Sequence, residues 1–514
     1  MSLVDKTFIE QTDKRCIMTT ENVKYEFLSE NPNVKTKPIM IALIIGAFFA
    51  ILNETLLNIA LTTLMQEFDI TLPTVQWIAT GFMLVMAIVM PISPLLIGWF
   101  TTRQLFIGTM VTFLIGTIVA GSAPTFGVLL FGRMIQAVGT GLIMPIMFNV
   151  FLLLYPPHKR GKIMGIVGLV IMFAPAIGPT LSGVIVEYLG WRFLFFLVVP
   201  FTIFSILFAM KFLVNVTEIT KPKIDWLSIV FSTIGLGGTI YGFSHAGESA
   251  NGFMTASVFI PIIIGVISLV LFAMRQFKLD EPLMDLRVFK FPMFAHAVIM
   301  FIIIIMVMFA SELILPVFMQ GPMGLTAAAA GLLLLPGSIL NGLMSPFMGA
   351  LFDKVGPKVM MVPATIVLAA VMFMYSNLTA DTPEWVIIVG FMLIMLSVSA
   401  MMMPAETNGL NQLPKHMYSH GTALMSTLQP LSGAIGVSVF LGLLNSKQAS
   451  YLNGVEDPTS PQAITDAMVA GTEFVYFVIF IITIVAFILA LFVYRARPLE
   501  DVVPAPKKTE ENND

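Results

Sequence analysis

Fourteen apolar runs dominate the chain, at 38–61, 74–99, 105–122, 125–154, 163–188, 193–214, 225–245, 254–276, 293–319, 327–352, 358–378, 385–412, 421–445 and 471–494. An apolar run of about 18 residues or more is long enough to cross a bilayer as a helix. Once in lipid, the backbone must satisfy its own polar groups, which a helix does within one segment. The sequence therefore predicts an all-α polytopic membrane protein. Several runs carry glycine and proline that a water-exposed helix would reject at about 1 and 3 kcal/mol per residue. The richest stretch runs from Gly165 and Gly168 through Pro175, Gly178 and Pro179 to Gly183. In a membrane, small residues let helices approach closely, and neighbouring groups satisfy the backbone that proline frees.

Composition agrees with this. Of 514 residues 57% are hydrophobic and 11% charged, where soluble domains carry roughly 25% charged residues. A net charge of -3 without a basic stripe gives no surface for nucleic acid. The single cysteine, Cys16, excludes intrachain disulfides and multi-cysteine metal sites. The five histidines show no HExxH spacing, and His416 and His420 lie in a basic loop, so no metal is expected. The first run follows a polar stretch of 37 residues, which argues against a cleavable signal peptide; Met18 is a second candidate initiator.

Basic residues set the orientation. Of 27 Lys and Arg, 24 fall in the two tails, in even-numbered loops or at their borders, including Arg103, Lys159, Arg160, Lys162, Lys221, Lys223, Lys354, Lys358 and Lys415. Odd-numbered loops instead hold Glu67, Asp69, Glu248, Asp381, Glu384, Glu456 and Asp457. Both termini are expected on the cytoplasmic side. The chain also repeats itself. Pro157-His-Lys-Arg-Gly161 enters the fifth run as Pro414-Lys-His-Met-Tyr-Ser-His-Gly421 enters the thirteenth. Ala174-Pro175, Gly178-Pro179 and Gly183 match Gln429-Pro430, Gly433 and Gly436, and Gly98 to Arg103 matches Gly349 to Lys358. Runs 1–6 then correspond to runs 9–14. The expected organisation is an N-terminal tail (1–37), a six-helix bundle (38–214), two inserted helices with linkers (215–292), a second six-helix bundle (293–494) and a C-terminal tail (495–514). Such duplication is a transporter architecture, with the site at the repeat interface.

Four motifs carry a family resemblance. Leu52-Asn53-Glu54-Thr55-Leu-Leu-Asn58-Ile-Ala60-Leu61 resembles a D-x-T-x-x-N-x-A-L-P run, with Asn53 at the Asp position and Glu54 one residue later. Gly132-Arg133-Met-Ile-Gln136-Ala-Val-Gly139 resembles R-x-x-Q-G-x-G. Gly178-Pro179-Thr-Leu-Ser182-Gly183, followed by Trp191-Arg192, is similar to the antiporter motif. The G-x-L-x-D-R-x-G-R-R loop motif is degenerate at Thr102 but keeps Asp353, Lys354, Gly356 and Lys358 in its second copy. Together they resemble the major facilitator superfamily, and within it the fourteen-span drug:proton antiporters (EmrB/QacA-like, LmrB-type branch). The resemblance implies a major facilitator fold of 14 transmembrane helices in a bacterial cytoplasmic membrane. It also implies an antiporter motif and gate at Gly178, Pro179, Gly183, Asp353 and Lys354, and the whole stretch from Gly165 to Gly183 is expected to be the hinge and packing seam between the halves.

Charges deep in the runs are few, because each costs about 2.5–3.5 kcal/mol at the bilayer centre on the insertion scale. Glu54, Arg133, Glu312 and Glu406 are the candidates for proton coupling, and a hydrogen-bonded pair between Glu54 and Arg133 is expected. Polar candidates for a substrate cavity are Asn58, Gln136, Asn149, Gln320, Asn341 and Gln429. Met172 and Met403 are candidates for its apolar wall, since methionine adapts to varied ligands. Asn408, Asn411 and Gln412 near Glu406 suggest a polar lining. With no GxxxxGK[ST] loop for ATP, the expected energy source is the proton gradient, with no cofactor. The expected partners are small amphipathic drugs, protons and the bilayer, for a monomer that is not an enzyme. The expected function is proton-coupled multidrug efflux by alternating access. The alternative is an exporter of the same mechanism dedicated to one metabolite, such as a bile acid, lipid precursor or signalling nucleotide.

Overall fold

The computed structural model describes residues 27–30, 35–57, 60–217, 219–246 and 255–496, without the side chains at 28, 62, 72, 73, 172, 175, 176, 179, 180, 327 and 328. It is all-helical over these residues. We number the long helices α1 (Thr36–Leu56), α2 (Leu72–Val89, continued through Met90–Ile92 into Ser93–Trp99), α3 (Thr102–Gly121), α4 (Phe126–Leu154), α5 (Pro157–Leu189), α6 (Phe193–Phe196 and Val198–Phe212) and α7 (Trp226–Ala246). They continue as α8 (Ala256–Lys278), α9 (Pro292–Gln320), α10 (Ala327–Val355), α11 (Pro357–Tyr375), α12 (Glu384–Asn411), α13 (Tyr418–Leu452) and α14 (Pro461–Leu491). Among the described residues, thirteen of these are long and apolar enough to cross a membrane. The other, α5, is 33 residues long and includes side chains outside the described set.

Helix ends follow local chemistry rather than the limit of the apolar run. Pro157 at the first turn starts α5 six residues before the run, so the basic residues 159–162 are helical. Ser460 accepts from the Ala463 N–H and starts α14 ten residues early. In the other direction α1 stops at Leu56, and a separate short helix, Leu61–Phe68, follows it. Between α10 and α11 the chain turns at Gly356, whose φ of 82° favours a residue without a Cβ.

Helix pairing repeats along the chain. In the first six helices α1 packs on α4, α5 and α6, α4 on α2 and α3, and α6 on α3. Adding eight to each number gives the pairs of the second six: α9 on α12, α13 and α14, α12 on α10 and α11, and α14 on α11. The inserted helices α7 and α8 pack on each other, and α7 leans on both α2 and α13, one from each half. Ser438 of α13 donates to the Phe243 carbonyl, and Trp77 stacks on Tyr241 with ring centroids 5.8 Å apart.

The halves meet along two seams related by the same repeat, α5 with α10 and α13 with α2. We call the end with the Lys159–Lys162 and Lys354–Lys358 segments the basic face and the opposite end the acidic face. The α5–α10 seam is the tighter one, and glycine builds it. A Cβ on Gly165 would lie 2.6 Å from the Ser345 carbonyl oxygen, and one on Gly349 would overlap the Gly161 carbonyl. Only glycine lets these backbones touch. The contact continues to Gly342 against Phe173; further towards the acidic face, Gly183 on α5 and Gly331 on α10 face open space. At α2, the contacts with α13 lie mainly on the Met90–Trp99 segment, again towards the basic face. Among the described residues, the close contacts between the halves therefore cluster towards the basic face.

Candidate functional site

Close approach of α3 and α4 creates the first polar cluster. A Cβ on Gly116 would sit 2.5 Å from the Gln136 nitrogen, and one on Gly132 2.6 Å from the Ala120 nitrogen. Arg133, 1% exposed, projects from α4 into this packed half. It donates from one terminal nitrogen to Asn53 Oδ1 on α1 (2.9 Å) and Gln136 Oε1 (3.0 Å). Gln136 in turn donates to Thr117 on α3 at 2.7 Å. The guanidinium carbon lies 4.1 Å from the centroid of the Phe82 ring on α2. Four helices thus hold one buried cation with neutral groups.

The expected Glu54–Arg133 hydrogen bond is not formed; among the described residues Arg133 bonds to Asn53 and Gln136. The reason is geometric. Successive residues on a helix are turned by about 100°, so when Asn53 faces α4 its neighbour Glu54 cannot. Glu54 is half-buried and Glu312 of α9 is exposed, although both lie deep among protein atoms. By rise per residue, Glu54 is about 27 Å along α1 from the basic face and Glu312 about 30 Å along α9. Both therefore sit in the half towards the acidic face. Glu406 is different: it is 3% exposed, about 7 Å from the basic end of α12.

Several other candidates take positions that the sequence did not indicate. Gln136 belongs to the Arg133 cluster and is fully buried, so it does not line the cavity. Gln320 is exposed at the acidic end of α9 and donates to the Pro316 carbonyl, a rim position. Met403 packs into the closed seam, where a Cβ on Gly168 would come within 2.8 Å of its Cγ. Asn341 is 3% exposed and donates to Met395 Sδ at 3.5 Å, which ties α10 to α12. Asn149 is buried in α4 and Gln429 half-buried in α13. The three amides after Glu406 do not form a lining. Asn408 receives the Ala496 N–H and donates to the Tyr494 carbonyl, Asn411 receives Arg160, and Gln412 receives the Met293 N–H at the start of α9. Asn58 and the side chains of Met172 and Pro179 lie outside the described residues.

The antiporter stretch also divides. Gly178 packs on α1 within its own half, where a Cβ would overlap Thr55 Oγ1, and Ser182 donates to the Leu56 carbonyl. Among the described residues, nothing lies within 4 Å of a Cβ position on Gly183. Within the stretch expected to form the seam, Gly165 and Gly168 meet the other half, joined by Gly161 before it, while Gly178 does not. Beyond α5, Trp191 and Arg192 both donate to Glu67, at 2.6 and 2.8 Å, and Arg192 also reaches the Ala123 carbonyl. Partial desolvation opposes ionisation of Glu67, but these two donors hold its carboxyl below the usual range.

At the basic face, Asp353 at the end of α10 accepts the backbone N–H groups of Gly161 (2.9 Å) and Lys162 (2.8 Å) on α5. A carboxylate on N–H groups near a helix start is a favourable charge–dipole contact. Lys354 is exposed. Arg160, fully buried, was not among the sequence candidates. It donates to the Leu152 and Tyr155 carbonyls in its own half and to Asn411 (2.8 Å) and Tyr418 (3.1 Å) in the other. Its signal in the sequence was the repeat itself, Pro157 to Gly161 against Pro414 to Gly421. Where the first loop copy has Thr102 instead of Asp, the chain closes locally: Thr102 holds Thr217 and the Val216 N–H, and Gly98 accepts from Thr220 and Lys221.

A sequence model of the Major Facilitator Superfamily matches residues 43–437. The chain is 48% identical to the lincomycin resistance protein LmrB of Bacillus subtilis (strain 168) over 463 residues, 90% of this chain and 97% of that protein. It is 45% identical to the protein of the same name from Listeria innocua over 464 residues, 90% of this chain and 98% of that one. Among solved structures, the human organic anion transporter MFSD10 aligns with a TM-score of 0.61 at 12% identity, over 88% of this chain and 99% of that one. The proton:xylose symporter XylE aligns with a TM-score of 0.58 at 14% identity, over 91% and 96%.

Proposed function

The chain belongs to the major facilitator superfamily, and from that premise we propose that this multi-pass membrane protein is a proton-coupled drug exporter of the bacterial cytoplasmic membrane. The reading is supported by two repeated halves joined along the α5–α10 seam towards the basic face, with Glu54 and Glu312 keeping accessible surface deeper in their helices. The distribution of basic residues supports a cytoplasmic basic face, and in this reading the arrangement corresponds to an outward-open state. The near-complete match to lincomycin resistance proteins supports drugs as the cargo.

In this reading the two halves rock about the closed seam, exposing the cavity to each side in turn. A carboxyl whose exposure to water changes over that cycle also changes its affinity for a proton. Glu54 and Glu312 then take up protons from outside and release them inside, while an amphipathic substrate travels the other way. Arg133 fixes a positive charge behind Glu54 without occupying the cavity. One charge moving down a potential of 100 mV supplies about 2.3 kcal/mol, enough for roughly a fifty-fold gradient of a neutral drug.

The test is accumulation of a panel of amphipathic antibiotics, lincomycin included, in cells that express the protein, with and without a protonophore. Lower accumulation of several compounds, restored by the protonophore, is expected. Accumulation equal to that of cells lacking the protein for every compound contradicts the reading.

A further inference from the structure

The N-terminal segment meets the basic face where the two halves are pinned together. Phe27 is 7% exposed and opens a turn, Leu28–Glu30, that packs on α4; the Glu30 N–H donates to the Phe27 carbonyl at 3.0 Å. Its ring centroid lies 5.7 Å from the Arg160 guanidinium carbon and 4.8 Å from Lys415 Nζ. Arg160 belongs to the first half and reaches Asn411 and Tyr418 of the second. Lys415 belongs to the second half, in the short 3-10 turn Lys415–Met417 that leads into α13. One aromatic ring therefore faces cations from both halves, across the seam.

We propose that residues 27–30 are a latch that holds the basic face closed. Opening that face must draw Arg160 away from Asn411 and Tyr418, and the ring cannot follow both cations as they part. A cation over an aromatic face shifts an equilibrium by a few-fold, so two such contacts hold the closed state by about tenfold. The segment adds nothing to the cavity itself. It sets how long the transporter waits with its acidic face open before the basic face opens.

The latch rests on the alternating-access reading and is tested by thiol labelling in native membranes. The single native cysteine is first removed as Cys16→Ser. A reporter, Ser345→Cys, is placed in the α5–α10 seam, where Ser345 is 1% exposed. A control, Ser205→Cys, is placed in the interior of the first half, where Ser205 is fully buried. With a membrane-permeant maleimide, Phe27→Ala is expected to raise labelling at the seam about tenfold and leave the control unchanged, while Phe27→Trp stays slow. An unchanged seam rate in Phe27→Ala overturns the latch. An equal rise at the seam and the control overturns it too, since the segment would then only support folding. Drug-dependent labelling of the seam reporter with Phe27 intact reports alternation by itself, so failure of the latch is separable from failure of the transport reading.

Discussion

Arg133 donates to the Oδ1 of Asn53 at 2.9 Å, so a buried guanidinium is held in place by an amide and not by the adjacent carboxylate of Glu54. The amide positions the cation without cancelling its charge. Glu54, one residue round the helix, keeps accessible surface. The resemblance to the D-x-T run implied a carboxylate at position 53; here position and charge are split between two neighbours.

Asn53→Ala should leave one donor of Arg133 buried and unsatisfied. Losing such a partner costs about 1–3 kcal/mol, more when the group is charged. We expect a fall of several degrees in the melting temperature of the detergent-purified protein, read by intrinsic fluorescence. Asn53→Asp should melt at or above the parent. Equal melting of Asn53→Ala and the parent would show that the bond contributes nothing.

The glycines of α5 should separate into two classes. Gly165→Leu places a side chain against the Ser345 carbonyl and should wedge the basic face open. Overpacking of about 1–3 kcal/mol is enough to shift a two-state equilibrium about tenfold or more. Labelling of Ser345→Cys should rise by that factor while membrane insertion is retained.

Gly178→Leu instead collides with Thr55 inside the first half. It should lower thermal stability and efflux together, with labelling at Ser345→Cys unchanged. If the Gly178 variant opens the basic face as the Gly165 variant does, the assignment of the seam to residues 161–168 is wrong.

Asp225, just outside α7, receives Arg275 at 2.6 and 2.8 Å and Ser228 as well. The bonds from Arg275, against partial desolvation and with help from Ser228, hold its carboxyl down at about 2 from the ordinary 3.8. A carboxyl lowered in the folded state stabilises above its unfolded value and loses that contribution as pH falls towards the folded one. The melting difference between the parent and Asp225→Asn should therefore be constant from pH 8 to about pH 5 and shrink below about pH 4. A difference that grows on acidification would contradict the sign.

Much of this architecture was legible in the sequence, because hydropathy sets the spans and duplicated motifs set the repeat. What could not be read was direction around a helix. Gln136, Asn341, Asn408, Asn411 and Gln412 are polar residues in apolar helices, and a polar residue there can face water or another helix. Residue type does not say which; the packing of small residues does. The stretch from Gly165 to Gly183 was legible as a seam, but only Gly165 and Gly168, with Gly161 before them, meet the other half, and Gly178 packs on α1. Likewise α5 and α14 begin at a proline and a serine cap beyond the apolar limit, since helices end where their caps are and not where lipid begins.

The central claim is that carboxylates in the outward-open cavity couple protons to drug movement. Its most direct test is drug-induced proton movement in inverted membrane vesicles, read by a pH-sensitive dye, for the parent and for Glu54→Gln, Glu312→Gln and the double variant at equal expression. The account predicts that the parent moves protons on drug addition and that the double variant gives no response while still binding drug. A double variant that moves protons as the parent does would contradict it.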